Sequence, residues 1–374
     1  PSSDLRMMIS NIGVLMDWPA AYTPNSGPMD SFILVQLKED AKNGTFKHVD
    51  ILRERLREKF PGVEFSFDTG GMLTAALNFG LPSPINIQVA GSRLETSYEI
   101  AEAIVSEVKK IPGAADVRIA QRLDYPAIDI EVDRVKAAYL GISQEDVVKN
   151  VVTALNSSIN FDPAFWIDHR NGNHYFIGAQ YLEKDIHSLQ TLENIPITSA
   201  DTKEVTILKN IASFERTTAP AVVNHHNITR VIDVYANVSG RDVGSIAAEI
   251  ERRLKRSEKL QTLMAEYKPK GYTYNIRGEV QSMQESFKQF GTGLVIAAML
   301  VYLVMVAQFR SFLDPFIILL TIPLGFIGVA FMLYFTNTNL NIQSFMGIIM
   351  MIGIVVAYSV LLVEFANRLR DKGV

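Results

Sequence analysis

The sequence contains no cysteine. That excludes disulfide staples and cysteine-ligated zinc. It also lacks a basic excess: 36 Lys and Arg stand against 40 Asp and Glu, a net charge of −4. A nucleic-acid binder needs cationic side chains to displace counterions from phosphate, so that class is excluded as well. No nucleophile with a base and an orienting partner can be picked out, and no Gly-rich phosphate loop follows a strand. The expectation is a non-enzyme that uses no cofactor and no ATP.

The most informative lack is local. Residues 289–374 carry seven of the 76 charged side chains, and residues 1–288 carry the other 69. The first part has ordinary globular composition; the second has the composition of a membrane segment. No charge falls between Lys288 and Arg310, and the 49 residues from Pro315 to Val363 are also uncharged. A helix needs about 20 apolar residues to cross roughly 30 Å of hydrocarbon. The longer stretch therefore suits two spans, broken at the polar run from Thr336 to Asn341. Three spans are expected, at 290–309, 315–335 and 342–364.

Charge bias orients them. Arg310, Arg368, Arg370 and Lys372 fall on one side of the three spans, and the loop on the other side is uncharged. The basic side is cytoplasmic by the positive-inside rule. Residues 1–288 then lie outside, in the periplasm if the cell is Gram-negative. The opening PSSDLRMMISNIG is neither a signal peptide nor a span. An upstream membrane segment, within a longer protein, is expected.

The first 288 residues are built from recurring β-α-β units. The first is FILVQL, HVDILRERLREKF and PGVEFSF; the second INIQVAG, LETSYEIAEAIVSEVKK and PGAADVRIA; the third RVIDVYANVSG, DVGSIAAEIERRLK and GYTYNIRG. Ile100, Ile104 and Val108, with Ala101 beside them, form one apolar helix face. Such units pair into ferredoxin-like split βαβ sandwiches. Between the second and third units lies a segment of different character. Ser143 is placed to cap the helix QEDVVKNVVTAL. The aromatic stretch FDPAFWIDHRNGNHYFIGAQY then reads as a hairpin turning at Asn171-Gly172. The fold class expected is thus α+β, with an inserted β-rich subdomain, followed by an all-α membrane segment.

Several strings then carry a resemblance. They are IEVDRVKAAYLGISQEDVVKNVVTALNSS, GEVQSMQESFKQFG leading into the first span, IPLGFIGV, FMGIIMMIGIVV and VLLVEFANRLRDKG. In this order and spacing the chain resembles the C-terminal half of a resistance-nodulation-division efflux permease of the multidrug, hydrophobe-exporting type. The resemblance implies porter subdomains over residues 1–124 and 217–288, a docking insert over 125–216 and three transmembrane helices in 289–374. It implies a homotrimeric inner-membrane antiporter driven by proton influx. Its partners would be a periplasmic membrane-fusion adaptor, an outer-membrane channel, the lipid bilayer and small amphiphilic substrates.

Candidate residues follow from that placement. Met16, Trp18 and Tyr22 sit where the family has a flexible switch loop, and Phe32 and Leu34 where a pocket wall is expected. Phe65 and Phe67 alternate on an expected strand. Aromatic side chains suit an apolar, deformable pocket because they give large contact area with few rotors. Metal export, the competing reading, would need soft thioether or imidazole ligands grouped together. Met7-Met8 and His225-His226 are the only adjacent pairs outside the spans, and neighbours on a strand point to opposite faces. No metal site is therefore expected, and organic cargo is favoured. A truncated membrane-anchored binding module is the third alternative. Ala357, Tyr358 and Ser359 mark the proton-relay region; the drug-exporting branch would carry a lysine at 357, and this departure counts against a lysine-containing relay. Gly325, Gly328, Gly347 and Gly353 are read as close helix-packing positions.

Overall fold

The computed structural model describes residues 4–13, 25, 27, 29–69, 81–199, 205–336 and 338–371. The chain divides into two compact units, Pro1–Arg122 with Val222–Val374, and Leu123–Ala221.

In the first unit, β1 (Leu5–Ile12) and β2 (Ser31–Leu37) form an antiparallel pair, followed by α1 (Thr45–Lys59). Nothing on α1 is buried, and both faces of the β1–β2 pair are exposed. Residues 63–69, expected to return as a strand carrying Phe65 and Phe67, form no strand. The ladder partner that would make them one is replaced by side chains, as described below.

The next elements build a core. β3 (Ile85–Ala90), α2 (Leu94–Val108) and β4 (Ala114–Ile119) make one β-α-β unit. After the second unit of the chain, β11 (Asn224–His226), β12 (Thr229–Val238), α7 (Val243–Arg256), α8 (Glu258–Tyr267) and β13 (Thr273–Gly278) make another. The strands interleave in one antiparallel sheet: β13, β3 and β12 lie side by side, and β4 and β11 share the far edge of β12. Alternation explains the layering. Ile85, Ile87 and Val89 of β3 and Ile232, Val234 and Ala236 of β12 are at most 2% exposed. They belong to the same core as Ile100, Ile104 and Val108 of α2 and Ile246, Ile250 and Leu254 of α7. Each such side chain contributes about 1.5–3 kcal/mol through burial.

The second unit opens with β5 (Tyr125–Val132) and closes with β10 (Ala212–Ala219), which pair along all eight residues of each strand. Its two ends are thereby brought together. Between them run α3 (Arg134–Tyr139), α4 (Gln144–Asn156), the hairpin β6 (Ala164–Ile167) and β7 (His174–Ile177), α5 (Leu189–Glu193), the pair β8 (Pro196–Thr198) and β9 (Val205–Ile207), and α6 (Leu208–Ile211). Ala137, Ile142, Val147, Ile195, Ile197, Leu208 and Ile211 fill its core. Ser143 caps α4 as expected. Its Oγ accepts from the Asp146 amide at 3.1 Å, and the Asp146 carboxylate accepts from the Ser143 amide at 3.0 Å. The hairpin loop runs over residues 168–173, with Gly172 at φ +74°.

β13 passes without a linker into α9 (Glu279–Phe309), a helix of 31 residues. At 1.5 Å per residue it is about 46 Å long. α10 (Leu313–Leu319), α11 (Thr321–Phe335) and α12 (Ile342–Asp371) follow. Three helical stretches, Glu279–Phe309, Leu313–Phe335 and Gln343–Leu369, are long and apolar enough to cross a membrane, with mean hydropathies of 2.3, 2.6 and 2.6. The first begins eleven residues before the expected 290. EVQSMQESFKQ is polar but contains no helix breaker, so the helix continues where the apolar run does not. Gly325 meets the packing expectation: a Cβ there would lie 2.8 Å from Met351 Sδ. Gly328, Gly347 and Gly353 have open space around them instead.

Candidate functional site

One face of the β3–β12 sheet is apolar and lies under the helices. The other is polar and largely shielded from solvent. Strand alternation places Asn86 and Gln88 of β3 and Asp233, Tyr235 and Asn237 of β12 on it. Register aligns a row across four strands: Arg118 opposite Tyr235, Tyr235 opposite Asn86, and Asn86 opposite Arg277.

Asp233, 4% exposed, is held by neutral amides. One carboxylate oxygen accepts from Asn86 Nδ2 at 3.0 Å and Gln88 Nε2 at 3.1 Å; the other accepts from Gln121 Nε2 at 2.8 Å. Gln121 Oε1 in turn accepts from the Asp233 amide at 2.8 Å, and Arg277 Nη1 donates to Gln88 Oε1 at 3.0 Å. Beside this network the Arg118 guanidinium lies 5.4 Å from the Tyr235 ring centroid. Its Nη1 is sealed from solvent and has no hydrogen-bond partner, and Asn86 Oδ1 is likewise an orphan acceptor. Burial lowers the Arg118 pKa and raises that of Tyr235, so the phenol stays neutral. Two sealed polar atoms without partners, on the strands either side of β12, are costly to folding, which marks the face as a candidate ligand surface.

At the edge of this face sits a second cluster. Asp116 has φ +50°, in the left-handed region, at an irregularity in the β4–β12 register. Its carboxylate accepts Arg53 Nε at 2.8 Å and Nη2 at 2.9 Å, Asn237 Nδ2 at 2.9 Å and the Phe67 amide at 3.3 Å. Asn237 Nδ2 also donates to the Phe67 carbonyl at 2.7 Å. Burial pushes the Asp116 carboxyl up, but the hydrogen bonds from Arg53 and Asn237 and the Arg53 charge outweigh it and hold the pKa below the ordinary carboxylate range. The hydrogen bond to Asp116 raises Arg53 correspondingly.

Of the sequence-derived candidates among the described residues, only Phe67 joins this cluster, with its ring 5.4 Å under the Arg53 guanidinium. Phe65 packs against Phe60, ring centroids 6.3 Å apart. Phe32 and Leu34 share a face of β2 and are 37% and 50% exposed. Met16, Trp18 and Tyr22 lie outside the described residues. In α12, Ala357 and Tyr358 are exposed and Ser359 is half-buried. The buried cluster on that helix involves Val356, with Met305 and Ile318. Among the described residues no group of three or more His, Asp or Glu could hold a metal ion. Sequence reasoning missed Asp116, Arg118, Asp233 and Tyr235. Their signal was the polar alternation in ADVRI and VIDVYAN, which reads as an ordinary solvent face until the fold covers it.

The model of the AcrB/AcrD/AcrF family matches residues 19–374. The chain belongs to that family. Among curated relatives, the cobalt-zinc-cadmium resistance protein CzcA of Cupriavidus metallidurans is 24% identical over 351 residues, covering 92% of this chain and 32% of the relative. The cation efflux system protein CusA of Escherichia coli K12 is 23% identical over 293 residues, covering 78% and 27%. A crystal structure of a heavy metal efflux pump superposes with a TM-score of 0.76 at 22% identity, over 95% of this chain and 35% of that one, and so shares its fold. The chain spans about a third of the length of the curated relatives it matches. The names of these relatives refer to metal resistance and cation efflux, whereas the multidrug type was the sequence expectation.

Proposed function

We propose that this chain is the cargo-handling and membrane-anchoring part of a proton-driven inner-membrane exporter. One observation carries the reading. The sheet that bears the polar face ends in β13, and β13 runs straight into a membrane-length helix at Gly278. That glycine has φ +84°, and a Cβ on it would lie 2.7 Å from the Pro84 carbonyl oxygen. The Glu279 amide donates to the same carbonyl at 3.0 Å. A tilt of the helix is therefore transmitted to the sheet without slack. Differential protonation of the membrane bundle biases its states, and the sheet follows.

In this reading residues 1–124 and 217–288 are ferredoxin-like porter subdomains on the periplasmic side, and residues 125–216 are the docking insert. The working assembly is a trimer with a periplasmic adaptor and an outer-membrane channel. Cargo meets the polar face around Arg118 and Tyr235, with Phe67 beside it.

The names of the relatives put heavy-metal cations first as cargo, reversing the order that the ungrouped methionines and histidines and the multidrug resemblance suggested. Arg118 supports a second reading. A guanidinium with a free buried Nη1 donor suits an organic molecule bearing an anionic group. The test is the tolerance of cells with and without the complete gene toward cobalt, zinc and cadmium salts and toward ethidium and deoxycholate. Lost tolerance to the metals alone supports the first reading, and to the organic compounds alone the second. Unchanged tolerance to all five ends the exporter proposal.

A further inference from the structure

The cluster at the edge of the sheet does something that neither the fold nor the cargo face requires. α1 buries nothing, and residues 63–69 pair with no strand. Yet Phe67 has both backbone polar groups bonded, its amide to Asp116 and its carbonyl to Asn237. Asp116 closes the set with a bidentate grip on Arg53, whose third nitrogen reaches Asp50 at 2.9 Å. Ser239 Oγ donates to the same Asp50 oxygen at 3.2 Å. The Asp116 side chain is only 1% exposed, and four donors use up its oxygens. It is held with a backbone φ of +50°, which costs a non-glycine residue free energy. Strain of that kind persists only where the surroundings over-determine it.

Spacing gives the consequence. Asp116 lies two residues before Arg118, and Asn237 two after Tyr235. The residues that grip Phe67 are thus strand neighbours of the residues on the cargo face. We propose that Asp116, through Arg53 and Asn237, is a positioning residue that fixes Phe67 beside Arg118 and so helps set which cargo is accepted. It touches no cargo itself. This inference rests on the exporter reading above. Without the carboxylate, Arg53 and Asn237 lose their common acceptor, and the Phe67 segment is free to move off the face while the apolar core stays intact.

The experiment uses cells carrying the complete gene and compares Asp116→Asn, Phe67→Ala and the double variant. Asn is close in shape to Asp and tolerates the left-handed backbone, so Asp116→Asn isolates the loss of the charged acceptor. Arg53→Lys, which keeps the charge but loses the bidentate fork, is the second probe of the same grip. Zinc and ethidium export are measured with the amount of protein in the membrane. The expected result is an unchanged amount and a zinc-to-ethidium export ratio altered about three- to tenfold, through apparent KM rather than maximal rate. Phe67→Ala should shift the ratio in the same direction, and the double variant should be no worse than either single one. A proportional fall in both exports that follows protein amount would make the cluster merely structural and overturn the inference. So would full additivity with Phe67→Ala. Failure of the unaltered gene to export either probe is a different result and removes the exporter reading along with it.

Discussion

The five-stranded sheet and the β1–β2–α1 segment lie in one compact unit, yet they are held by opposite kinds of force. In the sheet and the helices packed on it, Ile85, Ile87, Ile100, Ile104, Ile232 and Ile250 are wholly buried. In the segment, Met8, Ile9, Ile33, Leu34 and Val35 are 44–59% exposed, and α1 buries no residue. One face of the sheet is thus the floor of a hydrophobic core. The segment is tied to it through ion-pair and amide contacts at Arg53, Asp116 and Asn237. A structure joined this way can reposition one part without melting the other, because among the described residues the join is polar and α1 adds nothing buried to the core.

The largest expected effect tests the first half of that contrast. Ile104→Ala removes a wholly buried side chain from α2. The loss should be about 2–5 kcal/mol, as for other large-to-small core substitutions. Thermal or denaturant unfolding in detergent, followed by a probe in this unit, measures it. A loss below 1 kcal/mol, on the order of a surface substitution, would show that the apolar face is not what holds the sheet together.

A smaller effect isolates the polar join. Because the folded-state pKa of Asp116 is lowered, its contribution to stability is present above the ordinary carboxylate value. That contribution is lost as pH falls through the depressed value. Between pH 5 and 8 it should be flat. Below about pH 4 the native chain should lose stability more steeply than Asp116→Asn, which carries no titrating group there. Above that range the variant should be the less stable of the two by about 1–3 kcal/mol, the usual cost of orphaning buried donors. Parallel stability curves for the two proteins from pH 3 to 8 would mean that the carboxylate is not the acceptor that matters.

The same contrast explains what could be read from the residues alone. Periodicity is local, so the α2 face of Ile100, Ile104 and Val108 and the Ser143 cap stood out in the sequence and are present in the fold. The uncharged runs marked the membrane helices for the same reason, although a helix-forming polar stretch moved the start of the first back to Glu279. The polar face was illegible because alternation of polar and apolar residues on a strand does not say whether the polar side meets water. Asp233 became distinctive only when strands 145 or more residues apart came together, and Arg118 only when β4 met β12. The supposed strand at Phe65 and Phe67 failed on the same ground: its hydrogen-bond partners are side chains from distant strands, which no local pattern encodes.

The smallest effect is expected where exposure is greatest, and it completes the comparison. Ile33→Ala, at a β2 position 50% exposed and paired to Ser10, removes as many carbons as Ile104→Ala. Chemistry is therefore held constant and environment alone differs. Half of Ile33 is already exposed on the two-stranded sheet, so the change should stay within about 0.5 kcal/mol. Measured in the same 374-residue chain by the same unfolding probe, the ratio of the two losses gives the burial difference directly. A loss at Ile33 as large as that at Ile104 would mean that β2 is covered by another surface in solution. The segment would then be held by an apolar contact as well as by the Asp116 grip, and its freedom to reposition would be correspondingly reduced.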